Sequence, residues 1–546
     1  MIELGFAETW EAIARAQPDA IAIVQGERRT SWAEFEAQAA ALADYWRGCG
    51  LTPGACVTSC MRNMLEYPVA FFAAYKLGLT TFTCNYRYTP AELQYLLHDA
   101  QAEAIMFSLE TVDQIARVRE LMPEIKSWIA VPDGVHAVPE WATSLDAITA
   151  GKVDPPYPRQ LDRPEEDRFL LYTGGTTGMP KGVIWRHVDI IAALGGGFDR
   201  DLGLGPCADI DELVSRLPID GYRPRALIGS PLMHGAGQSA MFLTLSMGGT
   251  VIVAESINFD AVELWDAAER ERATRIAIVG EAFATPMLEA LEAHPGRWTQ
   301  PALKSITSTG AMWSRENKAG ILHHLPHLRL VDSLASSEGP PLGISTTTSG
   351  ASGITGSFEM RDHCAVFTED GRRVAPGSDE IGMLAIGGRL PLGYYGDPVK
   401  TAQTYRVIDG ERWAIAGDMA RVAADGSIEL LGRGSQCINT GGEKVFAEEV
   451  ETALKRHPGV RDALVVGLPD PRFGESIAAL IEPRVEAAGP LDATTLAAHV
   501  RADLAGYKVP RTVRFTDRIP RLVNGKADLS AARALLLAPE PAPAHG

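Results

Sequence analysis

The sequence lacks the paired cysteines, the long apolar runs and the excess of positive charge that mark several large classes of protein. Its seven cysteines are scattered, with no CxxC pair and no histidines at zinc-ligand spacing, which argues against a disulfide framework or a zinc finger. No run approaches the roughly 18 apolar residues of a membrane-spanning helix, and the acidic start is unlike a secretion signal. With 51 Lys and Arg against 69 Asp and Glu, the net charge of −18 gives no support to nucleic acid as a partner. We therefore expect a cytoplasmic protein with reduced thiols and no membrane span.

What the sequence contains is a long chain of ordinary globular composition, with 546 residues, of which 46% are hydrophobic and 22% are charged. Up to about residue 330, short β-rich runs alternate with amphipathic helical patterns, as in layered α/β domains with mostly parallel sheets. Helices are predicted to begin after Ser31 and Thr89, because a glutamate three residues later completes a capping box. Strands are predicted at residues 169–172, 250–253 and 276–279.

Two later parts of the chain have a different texture. The Gly-rich stretch 195–229 is interpreted as an inserted surface flap with a short helix at 209–217. From about residue 380, short strands and turns lead to a compact αβ segment with a helix at 446–456. We expect an N-terminal domain over 1–433, a hinge at 434–437, a small mobile α+β domain over 438–537 and a disordered Pro- and Ala-rich tail at 538–546.

The most informative segment is Tyr172-Thr-Gly-Gly-Thr-Thr-Gly-Met-Pro-Lys-Gly182, which directly follows an apolar strand. Its glycines let backbone N–H groups approach phosphate oxygens, its threonine hydroxyls add donors, and its lysine adds positive charge. It is not a Walker A loop, because Pro180 precedes the lysine and Gly182 follows it. The predicted phosphate-binding residues are Thr173, Gly174, Gly175, Thr176, Thr177, Gly178 and Lys181.

This segment resembles the phosphate loop of the adenylate-forming superfamily, which includes acyl-CoA synthetases, firefly luciferase and peptide-synthetase adenylation domains. Further motifs of that family follow in order: Ser230-Pro-Leu-Met-His-Gly-Ala-Gly237, Ser308-Thr-Gly-Ala-Met312, Asp332-Ser-Leu-Ala-Ser-Ser-Glu338, Ala416-Gly-Asp418, Gly432-Arg433, Gly441-Gly-Glu-Lys-Val-Phe446 and Asn524-Gly-Lys526. The resemblance covers about 95% of the chain, and the ordered set of motifs is specific. It implies an α/β adenylate-forming fold with a large N-terminal domain of layered sheets.

The resemblance implies a role for each matching residue. Gly310, Ala311, Ser333 and Leu334 would border adenine, and Asp332 would accept from its amino group; Leu334 stands where the family often has an aromatic residue. Ser337 would contact the α-phosphate, Glu338 would hold Mg²⁺, and Asp418 and Arg433 would bind the ribose or a phosphate. Ser435 matches the hinge pivot, although the family often has Asp or Lys there. Gly441, Gly442 and Glu443 would line the CoA tunnel, and Lys526 would be the mobile catalytic lysine, acting with Lys181, Glu338 and His234.

The implied activity is an ATP- and Mg²⁺-dependent acyl-CoA ligase that forms an acyl-adenylate and then a CoA thioester. The detailed motif wording is most similar to bacterial fatty-acyl-CoA and steroid-side-chain-CoA ligases, which indicates a bulky apolar carboxylic acid as substrate. His234, Gly280, Ala282 and Ala311 are the predicted acyl pocket. Two alternatives stay open: an acyl-AMP ligase that passes the acyl group to a carrier protein, and a non-catalytic nucleotide-binding module. A homodimer is compatible with the resemblance.

Overall fold

The computed structural model describes residues 5–150, 167–173, 180–194, 205–217, 223–311, 313–350, 357–433, 437–440, 443–470, 474–484, 491–504, 506–522 and 526–538. The chain divides into two compact units. The first comprises Met1–Thr355, Arg361–His363 and Ile386–Ala414, and the second comprises Gly356–Met360, Cys364–Ala385 and Ile415–Gly546.

The helices of the described residues alternate with strands over the first 330 residues, as predicted. They are α1 Phe6–Ala16, α2 Trp32–Gly48, α3 Glu66–Lys76, α4 Pro90–Asp99, α5 Val112–Arg119, α6 Leu145–Thr149, α7 His187–Ala193, α8 Ile210–Ser215, α9 Gly235–Ser246, α10 Ala261–Arg270, α11 Glu281–Ala293, α12 Arg315–His324, α13 Pro398–Thr404, α14 Ala447–Lys455, α15 Ala493–Asp503 and α16 Leu529–Leu537, with 3₁₀ turns at Leu109–Thr111 and Gly506–Lys508. None of these helices is both long and apolar enough to cross a membrane.

Most strands have two to seven residues, and the two longest are in the second unit. They are β1 Ile21–Gln25, β2 Arg28–Ser31, β3 Cys56–Cys60, β4 Thr80–Thr83, β5 Ala102–Ser108, β6 Ser127–Val131, β7 Thr143–Ser144, β8 Arg168–Thr173, β9 Lys181–Arg186, β10 Arg225–Ile228, β11 Thr250–Val253, β12 Arg275–Ile278, β13 Ser305–Thr309, β14 Arg329–Leu334, β15 Gly343–Thr347, β16 Ser357–Met360, β17 Cys364–Phe367, β18 Gly382–Ile386, β19 Gly393–Tyr394, β20 Tyr405–Ile408, β21 Glu411–Ala414, β22 Asp418–Val422, β23 Ile428–Arg433, β24 Cys437–Thr440, β25 Glu443–Phe446, β26 Val460–Asp470, β27 Gly474–Pro483 and β28 Thr512–Phe515.

Two sheets contain most of the described strands of the first unit. One has the strand order β2-β1-β11-β10-β12-β13-β14-β15. The six inner strands of this order run parallel, while β2 is antiparallel to β1 and β15 is antiparallel to β14. The other has the order β19-β9-β8-β4-β3-β5-β6-β7, with β8 and β9 antiparallel and Thr173 opposite Lys181. Buried tryptophans Trp265, Trp298 and Trp313 belong to the apolar core that includes strands of the first sheet.

Local sequence signals correctly located several of these elements. Ser31 and Thr89 form capping boxes at the starts of α2 and α4, and strands β8, β11 and β12 match the predicted strands to within one residue. The interpretation of 195–229 as a flap is wrong for its end, because β10 lies between β11 and β12 in the first sheet. The apolar run of that strand has only three residues, Ala226 to Ile228, which is too short to stand out among turn residues. The short helix predicted in this stretch is present as α8.

In its described residues, the second unit combines two smaller sheets with the helices α14, α15 and α16. One sheet joins β16, β23, β22 and β18, and the other has the order β25-β24-β27-β26 with β28 added beside β27. Helix α14 lies within the predicted 446–456 range, and α14 and α15 contribute to an apolar core with β26 and β27. The fold-class prediction, a large sheet-rich α/β unit followed by a smaller one, is confirmed. The boundaries at 433 and 438 stay predictions, and hinge residues 434–436 and tail residues 539–546 lie outside the described residues.

Candidate active site

The predicted motifs of the first unit converge on one edge of its first sheet. His234 follows β10, Gly280 follows β12, Gly310 follows β13, and Leu334 ends β14. These four strands are parallel neighbours, so the segments that follow them lie along the same carboxyl edge. Ligands of open parallel sheets bind outside this edge, and the sheet therefore brings the predicted acyl and adenine segments together.

The loop that carries His234 is held by a side chain from another part of the chain. The amide nitrogen of Asn63 donates to the carbonyl oxygens of Ile228 (3.3 Å) and Ser230 (3.0 Å), and its oxygen accepts from Leu232 N at 2.6 Å. Gly237, in the first turn of α9, packs closely against this loop, because a Cβ there would lie 2.4 Å from the carbonyl oxygen of Pro231. Glycine is thus required at the last position of the motif.

Gly280 and Ala311, both predicted to line the acyl pocket, are bridged by Ser308. The backbone nitrogen of Gly280 donates to Ser308 Oγ at 2.8 Å, and that hydroxyl donates to the carbonyl oxygen of Ala311 at 3.3 Å. Gly310 has φ +91°, a conformation that residues with a side chain rarely adopt, with no atom within 4 Å of a Cβ added there. Ala282 and Ala311 are partly buried and pack against the apolar core.

Asp332 lies at the same edge, in a buried ion pair. Its Oδ2 accepts from the ammonium of Lys318, which projects from α12. Its Oδ1 is buried and has no hydrogen-bond partner among the described residues. Burial raises the pKa of Asp332, while Lys318 opposes that shift.

The carboxylate of Glu338 is oriented by two hydroxyl groups. Ser336 Oγ donates to its Oε2, and Tyr394 Oη donates to its Oε1 at 2.8 Å. Tyr394 comes from β19, which pairs with β9 in the second sheet of the unit. Trp185 on β9 also reaches this loop, since its Nε1 donates to the carbonyl oxygen of Ser337 at 2.9 Å. The second sheet thus positions the loop that follows β14 of the first sheet.

The Glu338 carboxylate fits the predicted Mg²⁺ site. Mg²⁺ prefers hard oxygen ligands and commonly binds through one or two carboxylates together with substrate phosphates. Each carboxylate oxygen has two lone pairs, so Glu338 keeps accepting capacity after its two hydrogen bonds. Among the described residues there is no group of three or more His, Cys, Asp or Glu that could hold a metal, so substrate oxygens would complete the coordination.

Lys181, at the start of β9, forms an ion pair with Asp397. The Nζ–Oδ2 distance is 2.9 Å, and the hydrogen bond to Asp397 raises the pKa of Lys181. Asp397 also caps α13, where its side chain accepts from Lys400 N at 2.9 Å. That backbone hydrogen bond, followed by the one from Lys181, lowers the pKa of Asp397. The lysine of the phosphate loop therefore has a fixed acidic partner.

In the second unit, the sheet places Asp418 directly opposite Arg433 in the antiparallel pair of β22 and β23. Two motifs that lie 15 residues apart in the sequence are therefore neighbours. Lys526 is exposed, and its carbonyl oxygen accepts from Leu522 N at 2.7 Å.

Several predicted residues cannot be placed. Gly174, Gly175, Thr176, Thr177 and Gly178 of the phosphate loop lie outside the described residues, as do Ser435, Gly441 and Gly442. At Thr173, Arg433 and Glu443 only the backbone is described. The roles of all of these residues stay predictions.

Comparison with known proteins agrees with the arrangement of the motifs. Residues 10–395 match the family described as AMP-binding enzyme, and residues 449–526 match the AMP-binding enzyme C-terminal domain. The chain belongs to the AMP-binding enzyme family. The predicted membership of the adenylate-forming superfamily is thereby confirmed.

Relatives of this AMP-binding enzyme match it over nearly its full length. A medium/long-chain fatty acid–CoA and 3-oxocholest-4-en-26-oate–CoA ligase from Mycolicibacterium smegmatis is 38% identical, over 97% of this chain and 96% of the relative. A 3-oxocholest-4-en-26-oate–CoA ligase from Rhodococcus rhodochrous is 37% identical, over 97% and 95%. The crystal structure of the anthranilate CoA ligase AuaEII in complex with anthranoyl-AMP has a TM-score of 0.81 at 20% identity, covering 98% of each chain, which shows the shared fold.

Four residues of this AMP-binding enzyme's site were missed by the sequence analysis. They are Asn63, Lys318, Tyr394 and Asp397. Tyr394 and Asp397 share the short segment Gly393-Tyr-Tyr-Gly-Asp397, whose Gly- and Tyr-rich character could have marked it as a motif. Asn63 and Lys318 have no local signal, because only the folded chain brings them to their partners.

Proposed function

We propose that this chain is an ATP-dependent acyl-CoA ligase that activates a bulky apolar carboxylic acid, of the medium- or long-chain fatty or steroid side-chain type. The observation that carries the proposal is near full-length similarity to ligases named for these acids, at 38% and 37% identity. The reaction forms an acyl-adenylate and pyrophosphate from the acid and ATP, and then a CoA thioester and AMP.

In the first half-reaction, the substrate carboxylate attacks the α-phosphorus of ATP and pyrophosphate leaves. The approaching anion and the phosphates repel each other, so positive charge must be supplied at the phosphates. Lys181 and Lys526 supply it from the protein, and Ser337 contacts the α-phosphate. Mg²⁺ bound at Glu338 would neutralise part of the phosphate charge.

The adenosine is recognised by residues of several motifs. Gly310, Ala311, Ser333 and Leu334 border the adenine ring, and Asp332 accepts from its amino group. Asp418 accepts from the ribose hydroxyls, with Arg433 opposite it in the sheet. The free Oδ1 of Asp332 among the described residues supports this assignment.

In the second half-reaction, the thiol of CoA attacks the acyl carbonyl and AMP leaves. Gly441, Gly442 and Glu443 line the CoA tunnel in this proposal, and Ser435 is the hinge about which the C-terminal domain, residues 438–537, exchanges the two states. Both assignments rest on the resemblance of the motifs.

The acyl chain occupies a pocket next to His234. Gly280, Ala282 and Ala311 have small side chains or none. They therefore leave room in this pocket for a wide acyl group. Ala282 and Ala311 are apolar and only partly buried, which suits contact with an apolar substrate. The requirement for ATP and CoA favours a cytoplasmic location, and homodimerisation stays an untested proposal.

The test is CoA-dependent AMP release with a panel of acids: short, medium and long fatty acids, arylpropionates, cinnamates and a steroid side-chain acid. We expect turnover with the fatty or steroid acids. In Lys526→Ala, the rate of AMP release should fall about 10²- to 10³-fold. Lys508→Ala is the matched control, since Lys508 is paired with Glu449 in the same unit. Supplying preformed acyl-AMP should restore thioester formation in Lys526→Ala.

Two further assays, pyrophosphate exchange and AMP binding, separate the alternatives. Acid-dependent exchange of pyrophosphate into ATP without CoA turnover would favour a carrier protein as the acceptor. AMP binding without exchange for any acid would contradict the ligase proposal and favour a non-catalytic nucleotide-binding module.

A further inference from the structure

A lysine that no motif contains stands behind the residue assigned to the adenine amino group. Lys318 lies on α12 and Asp332 on β14, and their side chains form an ion pair inside the first unit. Lys318 is 3% exposed and Asp332 is 8% exposed. The ammonium also lies 5.9 Å from the ring centroid of Trp313. Two charged side chains are therefore buried at the edge of the sheet where the nucleotide is proposed to bind.

A buried ion pair is an expensive way to stabilise a fold, since the loss of hydration can exceed the attraction between the charges. The pair is also incomplete, because Asp332 Oδ1 is buried without a partner among the described residues. A buried acceptor without a donor is destabilising, because its lost hydration is not replaced. The arrangement is therefore better explained by a ligand donor that reaches Oδ1 than by stability.

We propose that Lys318 is a positioning residue that holds Asp332 Oδ2 and keeps the carboxylate ionised, so that Oδ1 selects the 6-amino group of adenine against 6-oxo purines. The inference rests on the proposed function, which places Asp332 beside adenine. An ionised carboxylate only accepts hydrogen bonds, so it pairs with an amino group and repels a carbonyl oxygen. A protonated carboxyl group could donate to a 6-oxo group, and that selectivity would be lost.

The charged groups that face Asp332 are Lys318 from α12 and Glu281 from α11. Burial and the Glu281 charge raise the pKa of Asp332, and Lys318 is the group that opposes them. Removing the ammonium leaves both raising influences without opposition. Asp332 is then protonated over a wider range of pH, and AMP binding weakens as the pH falls.

The experiment measures binding of AMP and IMP to the full chain by calorimetry between pH 6 and 9. These nucleotides differ at the 6-position of the base, which carries an amino group in AMP and an oxo group in IMP. We expect the protein to bind AMP more tightly, and Lys318→Met to reduce the AMP-to-IMP preference by about tenfold or more, with AMP affinity falling toward low pH. The matched control is Lys76→Met, which removes another buried lysine paired with two carboxylates, those of Glu11 and Glu36, and should leave the preference unchanged.

A second pair of variants tests the orientation without relying on charge. In Asp332→Asn, the ammonium of Lys318 still donates to the oxygen of the new side-chain amide. The amide nitrogen, a donor, then faces the base, and IMP should bind more tightly than AMP. In the double variant Lys318→Met with Asp332→Asn, the amide is free to rotate, and the preference should approach unity. The double variant has no unpaired carboxylate at this position, because Asp332 is replaced by a neutral residue. It therefore keeps the test available if Lys318→Met alone does not fold.

An unchanged AMP-to-IMP preference in Lys318→Met, or an Asp332→Asn variant that still prefers AMP, would overturn the role of Lys318. An equal loss of preference in Lys76→Met would also overturn it, since a general loosening would then explain both. Discrimination that depends on Lys318 in a protein that activates no acid would sustain this inference and contradict the proposed function. Absence of AMP binding in the unaltered protein would overturn the inference itself.

Discussion

Tyr394 Oη donates a 2.8 Å hydrogen bond to Glu338 Oε1, and the two residues are 56 positions apart in the chain. The ring of Tyr394 is itself held, since the ammonium of Lys400 lies 4.4 Å from its centroid. The carboxylate proposed to hold Mg²⁺ is therefore aimed by a tyrosine from the other sheet of the first unit. Hydrogen bonds to a charged group are stronger than those between neutral groups, so we expect the loss of this contact to have a measurable effect.

Tyr394→Phe should lower the rate of acid-dependent pyrophosphate exchange about tenfold and raise the Mg²⁺ concentration needed for half-maximal rate, because Glu338 loses a donor that fixes its orientation. The control is Tyr405→Phe. Tyr405 is buried with its ring centroid 6.3 Å from that of Tyr394, and its hydroxyl has no hydrogen-bond partner among the described residues. Equal effects of the two variants on the Mg²⁺ requirement would contradict the prediction.

Asp397→Asn tests the partner of the phosphate-loop lysine. Asparagine still caps α13, so the fold should be kept, but Lys181 loses its ionic partner. We expect the KM for ATP to fall about threefold, because a negative charge near the phosphates is removed, and kcat to fall about tenfold, because the ammonium is no longer held. Asp260→Asn is the control, since Asp260 caps α10 through Val262 N and Glu263 N. Steady-state kinetics in which kcat is unchanged would refute the positioning role of Asp397.

Gly237→Ala should disturb the loop that carries His234. The new Cβ would lie 2.4 Å from the carbonyl oxygen of Pro231, which is backbone and cannot swing away. We expect a loss of about 1–3 kcal/mol in the free energy of unfolding and a raised KM for the acid. In Gly235→Ala, in the same motif, the atoms nearest to the new Cβ belong to the side chain of Leu171, at 3.1 Å, which can shift, so both quantities should change much less. Thermal unfolding and acid titrations compare the two, and similar losses would count against the close-approach argument.

A prediction about pH follows from Glu36, whose carboxylate shares the buried ammonium of Lys76 with Glu11. Burial raises the pKa of Glu36 above its ordinary value, so the folded state holds a proton that the unfolded state releases. Stability from this group is therefore present at low pH and is lost as the pH rises from the ordinary glutamate value through the raised one. Glu36→Gln should remove this loss, so that the variant gains thermal stability over the unaltered protein with increasing pH.

Glu103→Gln serves as the control for that measurement. Glu103 forms an exposed ion pair with Lys126 at 2.6 Å, and such pairs contribute about 0–1 kcal/mol. Thermal midpoints between pH 4 and 8 should therefore differ little from those of the unaltered protein. A Glu36→Gln curve parallel to that of the unaltered protein would show that Glu36 does not titrate as argued.

Much of the fold was predictable from local patterns. Capping boxes at Ser31 and Thr89 and the strand at 250–253 depend on residues close together in the chain, and the structure confirms them. The strand Arg225–Ile228 was missed because its apolar run is short and is flanked by turn residues. Its position between β11 and β12 depends on pairing with distant segments, which a local pattern does not contain.

The sequence by itself determined the family and the reaction class, because each motif consists of consecutive residues and the motifs follow one another in the order of the family. Only the tertiary structure decided which side chains hold those motifs in place. Lys181 and Asp397 are 216 positions apart, and Asn63 and Leu232 are 169 apart. Even Lys318 and Asp332, only 14 positions apart, meet because α12 packs beside the strand that follows it. Such contacts form when packed sheets and helices bring distant segments within hydrogen-bond range, and that proximity is a property of the folded chain.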